Sequence, residues 1–183
     1  TRGWFYSLLV ISTFVMGKSS FKNVLVNDLL LDKYGQKMHK SRGNAISPFG
    51  IMEQYGADTV RFYMLHTSPV WTPLKFDEDG CKEIYSKYIS TFKNAYSFFE
   101  MYANADNIDP REYNIPAEDR DLIDRWLLSK LNRLVRDVNA AYQEYDLNKV
   151  ARLIVPFLND DLSNWYIRRN RRRFWDSELT ESK

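Results

Sequence analysis

From residue 81 onward, the chain carries three long stretches in which apolar residues recur at every third or fourth position. This spacing places the apolar side chains along one side of an α-helix, so it predicts three amphipathic helices packed as a bundle. Asp146 and Asn148 are candidates for a turn and a cap between the second and third stretches. Pro156 lies inside the third stretch and should kink that helix, because proline has no backbone N–H to donate. The three predicted faces are Ile84, Tyr88, Phe92, Ala95, Phe99 and Tyr102; Leu127, Leu131, Leu134, Val138, Ala141 and Tyr145; and Val150, Ile154, Phe157, Leu158, Leu162 and Trp165.

The first 80 residues show a different pattern, in which α and β signals alternate. Residues 2–16 are apolar on most sides and end at Gly17, which predicts a helix buried over most of its surface. Short apolar runs at 24–26 and 29–31 are typical of strands in a buried sheet.

Two shorter helices are predicted after a polar loop. Ser47 and Pro48 form an N-cap and first-position pair, and Gly56 ends the first of these helices. The second begins at Asp58 and stops before the proline-containing segment 68–73. The change of pattern near residues 75–80 suggests a domain boundary, which we place between 78 and 79.

Composition narrows the class of protein. The chain has 26 Lys and Arg against 24 Asp and Glu, a formal charge of +2, and 44% hydrophobic residues. These values exclude a polybasic tail and a highly charged disordered chain. Cys81 is the single cysteine, so an internal disulfide is impossible. The longest apolar stretch is too short for a membrane helix, and we expect no membrane partner.

The chain starts at Thr1 rather than at a methionine, so we expect it to be an internal piece of a larger protein. Its charges are also unevenly placed, because five arginines fall within six positions near the end. Such a cluster is typical of a surface that binds phosphate or an acidic partner. The arginines are Arg168, Arg169, Arg171, Arg172 and Arg173.

Residues 37–45, which we call the lysine loop, carry the sharpest chemical signal. The segment has no apolar periodicity and holds two lysines three positions apart, Lys37 and Lys40. Flexible ammonium groups can approach several phosphate oxygens and then release pyrophosphate. Gly43 allows a tight turn, and Asn44 can hydrogen-bond to its own loop. Two lysines at this spacing more often lie in a solvated surface loop than in a phosphate-binding one. Other segments of the sequence must therefore decide between the two interpretations.

The context is a resemblance to class I aminoacyl-tRNA synthetases of the branched-chain subgroup. Residues 37–41, Lys-Met-His-Lys-Ser, resemble the KMSKS signature of that family, with His39 in place of the usual serine. Residues 55–61, Tyr-Gly-Ala-Asp-Thr-Val-Arg, are similar to the helix start that follows it. Residues 1–5 and 161–175 resemble two further segments of isoleucyl-tRNA synthetases, so four similarities in the family's order cover most of the chain.

The resemblance implies a fold and a reaction. The fold is the α/β end of a Rossmann-type catalytic domain (1–78) followed by an all-α anticodon-binding helical bundle (79–183), mostly helical overall. The reaction is activation of isoleucine with ATP and Mg²⁺, then acyl transfer to tRNA(Ile). It also implies a cytoplasmic parent enzyme that acts as a monomer and no structural metal in this segment. The family's H-I-G-H signature is absent from the 183 residues, so we expect the piece alone to be inactive.

The resemblance also assigns residues. Lys37 and Lys40 become catalytic, and the ATP-binding loop comprises Lys37, Met38, His39, Lys40, Ser41, Gly43 and Asn44. His39 is either a neutral spacer or a pH-dependent charge, and Met38 is either a packing anchor or an ordinary core residue. Trp4 becomes a wall of the isoleucine pocket, against the alternative of a core tryptophan. His66 is expected to be a packed histidine.

The five clustered arginines are expected to bind tRNA, or else to pair with acidic residues of the bundle such as Asp160 and Asp161. Two wider alternatives also stay open. The chain could come from a valyl- or leucyl-tRNA synthetase, or it could be an RNA-binding helical module without catalysis.

Overall fold

A computed structural model describes residues 3–176, 178, 180, 182 and 183. The described chain is mostly helical, and two very short strands accompany the helices. The helices are α1 (Trp4–Met16), α2 (Pro48–Tyr55), α3 (Ala57–Thr67), α4 (Glu78–Ile84), α5 (Ser90–Ala105), α6 (Leu122–Gln143), α7 (Leu147–Pro156) and α8 (Arg168–Trp175); the strands are β1 (Leu30–Leu31) and β2 (Leu74–Lys75).

The strands β1 and β2 pair in parallel, with Leu30 opposite Leu74 and Leu31 opposite Lys75. Leu74 N–H donates to the Leu29 oxygen at 3.1 Å, and Phe76 N–H donates to the Leu31 oxygen at 2.8 Å. An isolated antiparallel bridge joins Leu31 to Lys37. The sheet therefore fixes both ends of the turn that leads into the lysine loop.

The main hydrophobic core lies beneath this small sheet. Its buried members are Ile51, Val60, Tyr63, Leu74, Phe76, Cys81 and Ile84. The Tyr63 hydroxyl donates to the Lys75 oxygen at 3.2 Å and accepts from Asp77 N–H at 3.1 Å, which secures α3 to the end of β2. Residues on both sides of the boundary predicted at 78/79 share this core.

The helix α1 forms where the sequence predicts it, but its predicted burial is wrong. Gly17 adopts a left-handed conformation (φ 66°) and donates to the Thr13 oxygen at 3.0 Å, as a helix-ending glycine does. None of the thirteen residues of α1, all within the described range, is buried. Apolar periodicity reports which side chains favour burial, whereas burial itself needs a packed neighbour. Arg2 lies outside the described residues.

One of the two predicted strands is also wrong. Residues 29–31 form β1, but residues 24–26 carry no strand pairing among the described residues and their side chains are exposed. A strand requires a hydrogen-bonding neighbour, and β-branched composition alone cannot supply one.

The two predicted helices after the lysine loop are confirmed as α2 and α3, separated by Gly56. Pro48 occupies the first turn of α2, while the Ser47 side chain makes no capping hydrogen bond. Gly56 has a φ of 87°, so it turns the chain between the two helices at a position that favours glycine.

The three predicted amphipathic helices are present, with local changes of hydrogen-bond pattern. The first runs from α4 through a π-helical segment (Tyr85–Ile89) into α5, and the second is α6. The third starts as α7, becomes π-helical over Phe157–Ile167 and continues as α8. Pro156 lies where the pattern changes, because its missing N–H removes one bond of the α-helical ladder.

These helices pack against one another. The helix α6 contacts α7 and the π-helical segment Phe157–Ile167, and α5 contacts that segment as well. The Asp146 side chain accepts from Lys149 N–H at 3.0 Å and so caps α7, which confirms its predicted role. Of the helices in the described residues, none is long and apolar enough to span a membrane.

Candidate nucleotide-binding loop and arginine helix

The lysine loop begins at the bridge between Leu31 and Lys37 and folds into a single 3₁₀ turn. That turn covers Lys40–Arg42 and ends at Gly43, whose φ of 70° is a left-handed conformation that favours glycine. Gly43 N–H donates to the Lys40 oxygen at 3.2 Å, and Arg42 N–H donates to the His39 oxygen at 3.1 Å. The loop is therefore compact around its second lysine.

Side chains of the loop divide into one anchor and a group that faces solvent. Met38 is half-buried and packs against the main core. This contact fits the first of the two roles that the sequence left open for Met38, a residue that anchors the loop by packing. The exposed members are Lys37, His39, Lys40, Ser41 and Arg42.

Asn44 closes the base of the loop. Its side-chain oxygen accepts from His39 N–H at 2.9 Å, and its Nδ2 donates to the Lys37 oxygen at 3.2 Å. The sequence suggested that Asn44 bonds to its own loop, and the structure confirms it. Lys37 and His39, which flank Met38, are thus held by one amide group.

Asp32 was missed by the sequence reasoning although it organises the turn before the loop. Its Oδ1 accepts from Gln36 N–H at 2.8 Å and from Tyr34 N–H at 3.0 Å, and its Oδ2 accepts from Asn44 Nδ2 at 2.9 Å. The Gln36 N–H and then the Asn44 amide hold the pKa of this buried carboxyl below its usual range. An aspartate ahead of a Lys-Tyr-Gly turn is the signal that could have indicated this role.

The donor set of the loop fits phosphate groups. Lys37, Lys40 and Arg42 are cationic and exposed, and no ion pair among the described residues involves them. The oxygens of Asp32 already accept three N–H groups. The loop therefore suits the oxygens of a nucleotide, and within the described residues it offers no free carboxylate for a metal ion of its own.

Trp4 lies at the start of α1 and is 69% exposed, so it is not a residue of the chain's own core. Its ring meets Phe5 edge-on, with 5.0 Å between the centroids. Phe5 in turn meets Phe21 at 6.3 Å. The described contacts do not bring Trp4 together with the lysine loop.

The five arginines near the end of the chain lie on α8 and divide between two environments. Four are exposed: Arg168, Arg169, Arg171 and Arg172. The Arg169 guanidinium lies 4.7 Å from the centre of the Trp165 ring, a cation–π contact on the same surface. These four cations form one outward-facing basic surface, which we call the arginine surface.

Arg173 faces the bundle instead. Its guanidinium donates to both carboxylate oxygens of Asp124 at 2.9 and 3.0 Å, and the Tyr166 hydroxyl donates to the same carboxylate at 2.6 Å. Burial, together with this carboxylate, raises the pKa of Tyr166 well above its ordinary value. The acidic partner of Arg173 is thus Asp124, with Asp121 at 3.7 Å, rather than Asp160 or Asp161. Asp161 pairs with Lys130 at 3.2 Å.

His66 is packed, as expected from the sequence. Its ring stacks on Phe62 with 5.7 Å between the centroids and lies 5.4 Å from Tyr88. Burial and the nearby Arg152 charge lower its pKa from the ordinary value of 6.5, and Glu83 opposes this change. His66 therefore packs between α3 and the π-helical segment Tyr85–Ile89.

Comparison with known families divides the chain into two matched regions. Residues 1–77 match the tRNA synthetases class I (I, L, M and V). Residues 124–183 match the anticodon-binding domain of tRNA ligase. Individual relatives narrow the assignment. The chain is 50% identical over its full 183 residues to an isoleucine–tRNA ligase of Bacteroides fragilis.

The chain is thus similar to isoleucine–tRNA ligases along its whole length. The isoleucine–tRNA ligases of Cytophaga hutchinsonii and Clostridium novyi are 48% and 44% identical to it, again over all 183 residues. The chain covers 16% of the Bacteroides and Cytophaga proteins and 17% of the Clostridium protein. It therefore spans about one sixth of the length of these isoleucine–tRNA ligases.

A solved structure shares the fold. It is the LeuRS chain of a ternary complex with tRNA and LeuAMS from Agrobacterium radiobacter K84, with a TM-score of 0.67. The likeness covers 92% of this chain and 21% of that chain, at 18% sequence identity. The arrangement of helices is thus one that a class I tRNA synthetase adopts.

Proposed function

We propose that the chain supplies the phosphate-binding loop and part of the tRNA-binding surface of an isoleucine–tRNA ligase. The observation that best supports this proposal is the lysine loop, whose exposed cations are anchored by Met38 and Asn44. The chain that contains this loop is similar to isoleucine–tRNA ligases along its whole length. The whole protein would activate isoleucine with ATP and then transfer it to tRNA(Ile).

The lysine loop would act in the activation step. When the isoleucine carboxylate attacks the α-phosphorus of ATP, negative charge grows on the nonbridging oxygens and on the departing pyrophosphate. Lys40, at the start of the 3₁₀ turn, and Lys37, beside the Asn44 amide, would stabilise that charge more in the transition state than in the ground state. We assign the larger share to Lys40 and a supporting share to Lys37.

Mg²⁺ would arrive with ATP and neutralise part of the phosphate charge. The loop itself would contribute donors rather than metal ligands, since the Asp32 oxygens already accept hydrogen bonds. Ser41 and the backbone near Gly43 would add hydrogen bonds to the same phosphates. His39 is exposed on this surface, which fits the spacer role and leaves the pH-dependent alternative to experiment.

Trp4 is proposed as a wall of the isoleucine pocket. Its exposed indole is a flat apolar surface suited to a branched alkyl side chain.

The chain is also proposed to divide into a Rossmann-type catalytic part at 1–78 and an anticodon-binding bundle at 79–183. The parallel pair β1 and β2 supports the first part, and the packing of α5, α6 and α7 on the segment Phe157–Ile167 supports the second, while Cys81 and Ile84 of α4 pack in the core of the first part.

Arg168, Arg169, Arg171 and Arg172 are proposed to contact the tRNA backbone. Guanidinium groups bind phosphate through two hydrogen bonds, and an exposed tryptophan beside them can stack on a base. Arg173 is assigned a structural role instead, because its guanidinium is held by Asp124. Four arginines are therefore proposed to bind tRNA, rather than the five expected from the sequence.

Aminoacylation assays on the full-length protein test this function. Charging of tRNA(Ile) with isoleucine, and weak charging with valine or leucine, is the expected result. Preference for valine or leucine would assign the protein to a sister synthetase. Failure to activate any amino acid, with tRNA binding retained, would favour an RNA-binding module without catalysis.

Salt-dependent tRNA binding tests the arginine surface separately. Replacing Arg168 and Arg172 by glutamine should weaken binding and reduce the salt slope by about one for each phosphate that is no longer neutralised. The matched control is Arg61→Gln, since Arg61 is an exposed arginine on α3, paired with Asp58 at 3.4 Å. Equal effects of both changes would contradict a specific role for α8.

A further inference from the structure

We infer that Asp32 is a positioning residue for the lysine loop and acts through the side chain of Asn44. The inference rests on the proposed function, because it explains how the loop would hold its lysines ready for a nucleotide. Asp32 does not reach the nucleotide itself. Its carboxylate is enclosed by hydrogen bonds at the base of the loop, and the residue is 7% exposed.

The ionised carboxylate of Asp32 can only accept hydrogen bonds. Its Oδ1 is occupied by Tyr34 N–H and Gln36 N–H, so Oδ2 is the oxygen that faces Asn44. The Asn44 amide must therefore present Nδ2 to Asp32. This choice fixes the amide orientation and turns its oxygen toward His39 N–H.

The oriented amide then holds two points of the loop at once. Nδ2 donates to the Lys37 oxygen as well as to Asp32, while the oxygen accepts from His39 N–H. Lys37 and His39 flank Met38, which packs into the core. Three successive residues are thus fixed immediately before Lys40, so the direction in which Lys40 leaves the loop depends on Asn44.

Asp32 connects this arrangement to the rigid part of the molecule. It directly follows β1, which is paired with β2, and its own N–H donates to the Gln36 oxygen at 2.8 Å. A change at Asp32 should therefore release the loop without opening the sheet. This separates positioning of the loop from general stability.

A pair of exchanged side chains tests the inference on the full-length protein. Asp32→Asn places an NH2 group against the Asn44 NH2, and Asn44→Asp places two carboxylates together. The double variant Asp32→Asn with Asn44→Asp restores one donor and one acceptor at this contact and keeps the same net charge. It still accepts from His39 N–H, but the Lys37 oxygen loses its donor and then faces a carboxylate oxygen, so the restoration is partial. The matched control is Asp28→Asn, because Asp28 is exposed and accepts from its neighbour Leu29 N–H at 2.7 Å.

The first readout is independent of activity. Brief trypsin treatment followed by mass spectrometry reports cleavage after Lys37, Lys40 and Arg42, with cleavage after Lys18 as an internal reference. Both single variants should be cut severalfold faster within the loop, and the double variant should return part of the way to the wild-type rate. Asp28→Asn should match wild type.

The second readout is isoleucine-dependent ATP–pyrophosphate exchange. A misplaced loop should lower kcat on the order of 10–100-fold while leaving the KM for isoleucine unchanged, since that substrate is bound elsewhere. A global loss of structure would instead change both constants and the thermal melting curve. The double variant should recover part of kcat.

The outcomes separate this inference from the proposed function. Wild-type cleavage within the loop in both single variants would overturn the inference, as would a double variant no better than either single one. Should Asp32→Asn melt early, comparison of Asn44→Asp with the double variant still decides. Exchange that survives Lys40→Ala would overturn the proposed function, whatever the trypsin result.

Discussion

Asn148 joins α7 to the end of α3, because its side-chain Nδ2 donates to the backbone oxygens of Leu65 and His66 at 2.8 Å each. The last carbonyl groups of a helix lack partners within the helix, and here a buried amide from a distant helix supplies them. The sequence suggested Asn148 as a turn or cap candidate between the second and third amphipathic stretches. The helix that its side chain caps is α3, whose His66 lies 82 residues earlier in the chain.

Replacement of Asn148 by alanine should destabilise the protein by about 1–3 kcal/mol, since two buried carbonyl oxygens lose their donor. Urea unfolding measures the change. Asn132→Ala, an exposed site on α6, is the control and should leave the unfolding free energy nearly unchanged. Equal effects at the two sites would contradict the role of Asn148 as a connection between these helices.

Gly80 should not tolerate a side chain. A Cβ at this position in α4 would lie 2.5 Å from a carbon of the Tyr63 ring, and that ring is fixed by its hydroxyl bonds to Lys75 and Asp77. Gly80→Ala should therefore cost about 1–3 kcal/mol through overpacking. Thermal or urea unfolding measures this loss.

Gly50 provides the matched control for Gly80. It also lies inside a helix, α2, but nothing lies within 4 Å of its added Cβ. Gly50→Ala should stabilise the protein by roughly 0.5–1 kcal/mol, because alanine favours the helix more than glycine does. The two substitutions are therefore expected to differ in sign, and destabilisation by both would contradict this account.

The Asp124 carboxylate should matter for stability far more than an exposed carboxylate does. Asp124→Asn would leave the half-buried Arg173 guanidinium without its closest anion and cost about 2–4 kcal/mol. The control is Asp58→Asn. Asp58 pairs with the exposed Arg61, and an exposed ion pair contributes little to the free energy of unfolding. Comparable losses of unfolding free energy in both variants would show that Arg173 is not held as described.

Stability should depend on the charge of His66. Its pKa is lower in the folded protein than its ordinary value of 6.5, so the unfolded chain takes up the proton first as the pH falls. The contribution of neutral His66 is therefore present at neutral pH and is lost as the pH falls below 6.5 through the folded pKa. Urea unfolding at pH 7.5 and 5.5 should show a smaller difference for His66→Gln than for wild type. An unchanged difference would contradict this.

Local sequence signals were enough to locate the helices. One signal is the periodic spacing of apolar positions, as on the amphipathic face of α6. The other is a residue that ends a helix, such as the glycines after α1 and α2. The exposure of α1 and the absence of pairing at 24–26, both within the described range, depended on neighbours that local patterns do not contain. The π-helical segments depended on packing in the same way, although Pro156 marked where one begins.

The charged residues of the candidate site could be predicted from the sequence, whereas the contacts that hold them in place were harder to predict. Lys37 and Lys40 stand out by residue type, and Asn44 by its preference for turns. The link from Asp32 to Asn44 joins residues 12 positions apart, and only the folded turn brings them together. Likewise, five similar arginines in sequence became four exposed ones and a fifth that is bound to Asp124.

Isoleucine-dependent ATP–pyrophosphate exchange by the full-length protein tests the central claim most directly. Lys40→Ala should lower the exchange rate on the order of 10²–10³-fold, because it removes a preorganised cation from the charge that develops in the transition state. Lys33→Ala, an exposed lysine in the preceding turn, should exchange at the wild-type rate. Undiminished exchange in Lys40→Ala would contradict the assignment of the lysine loop to ATP.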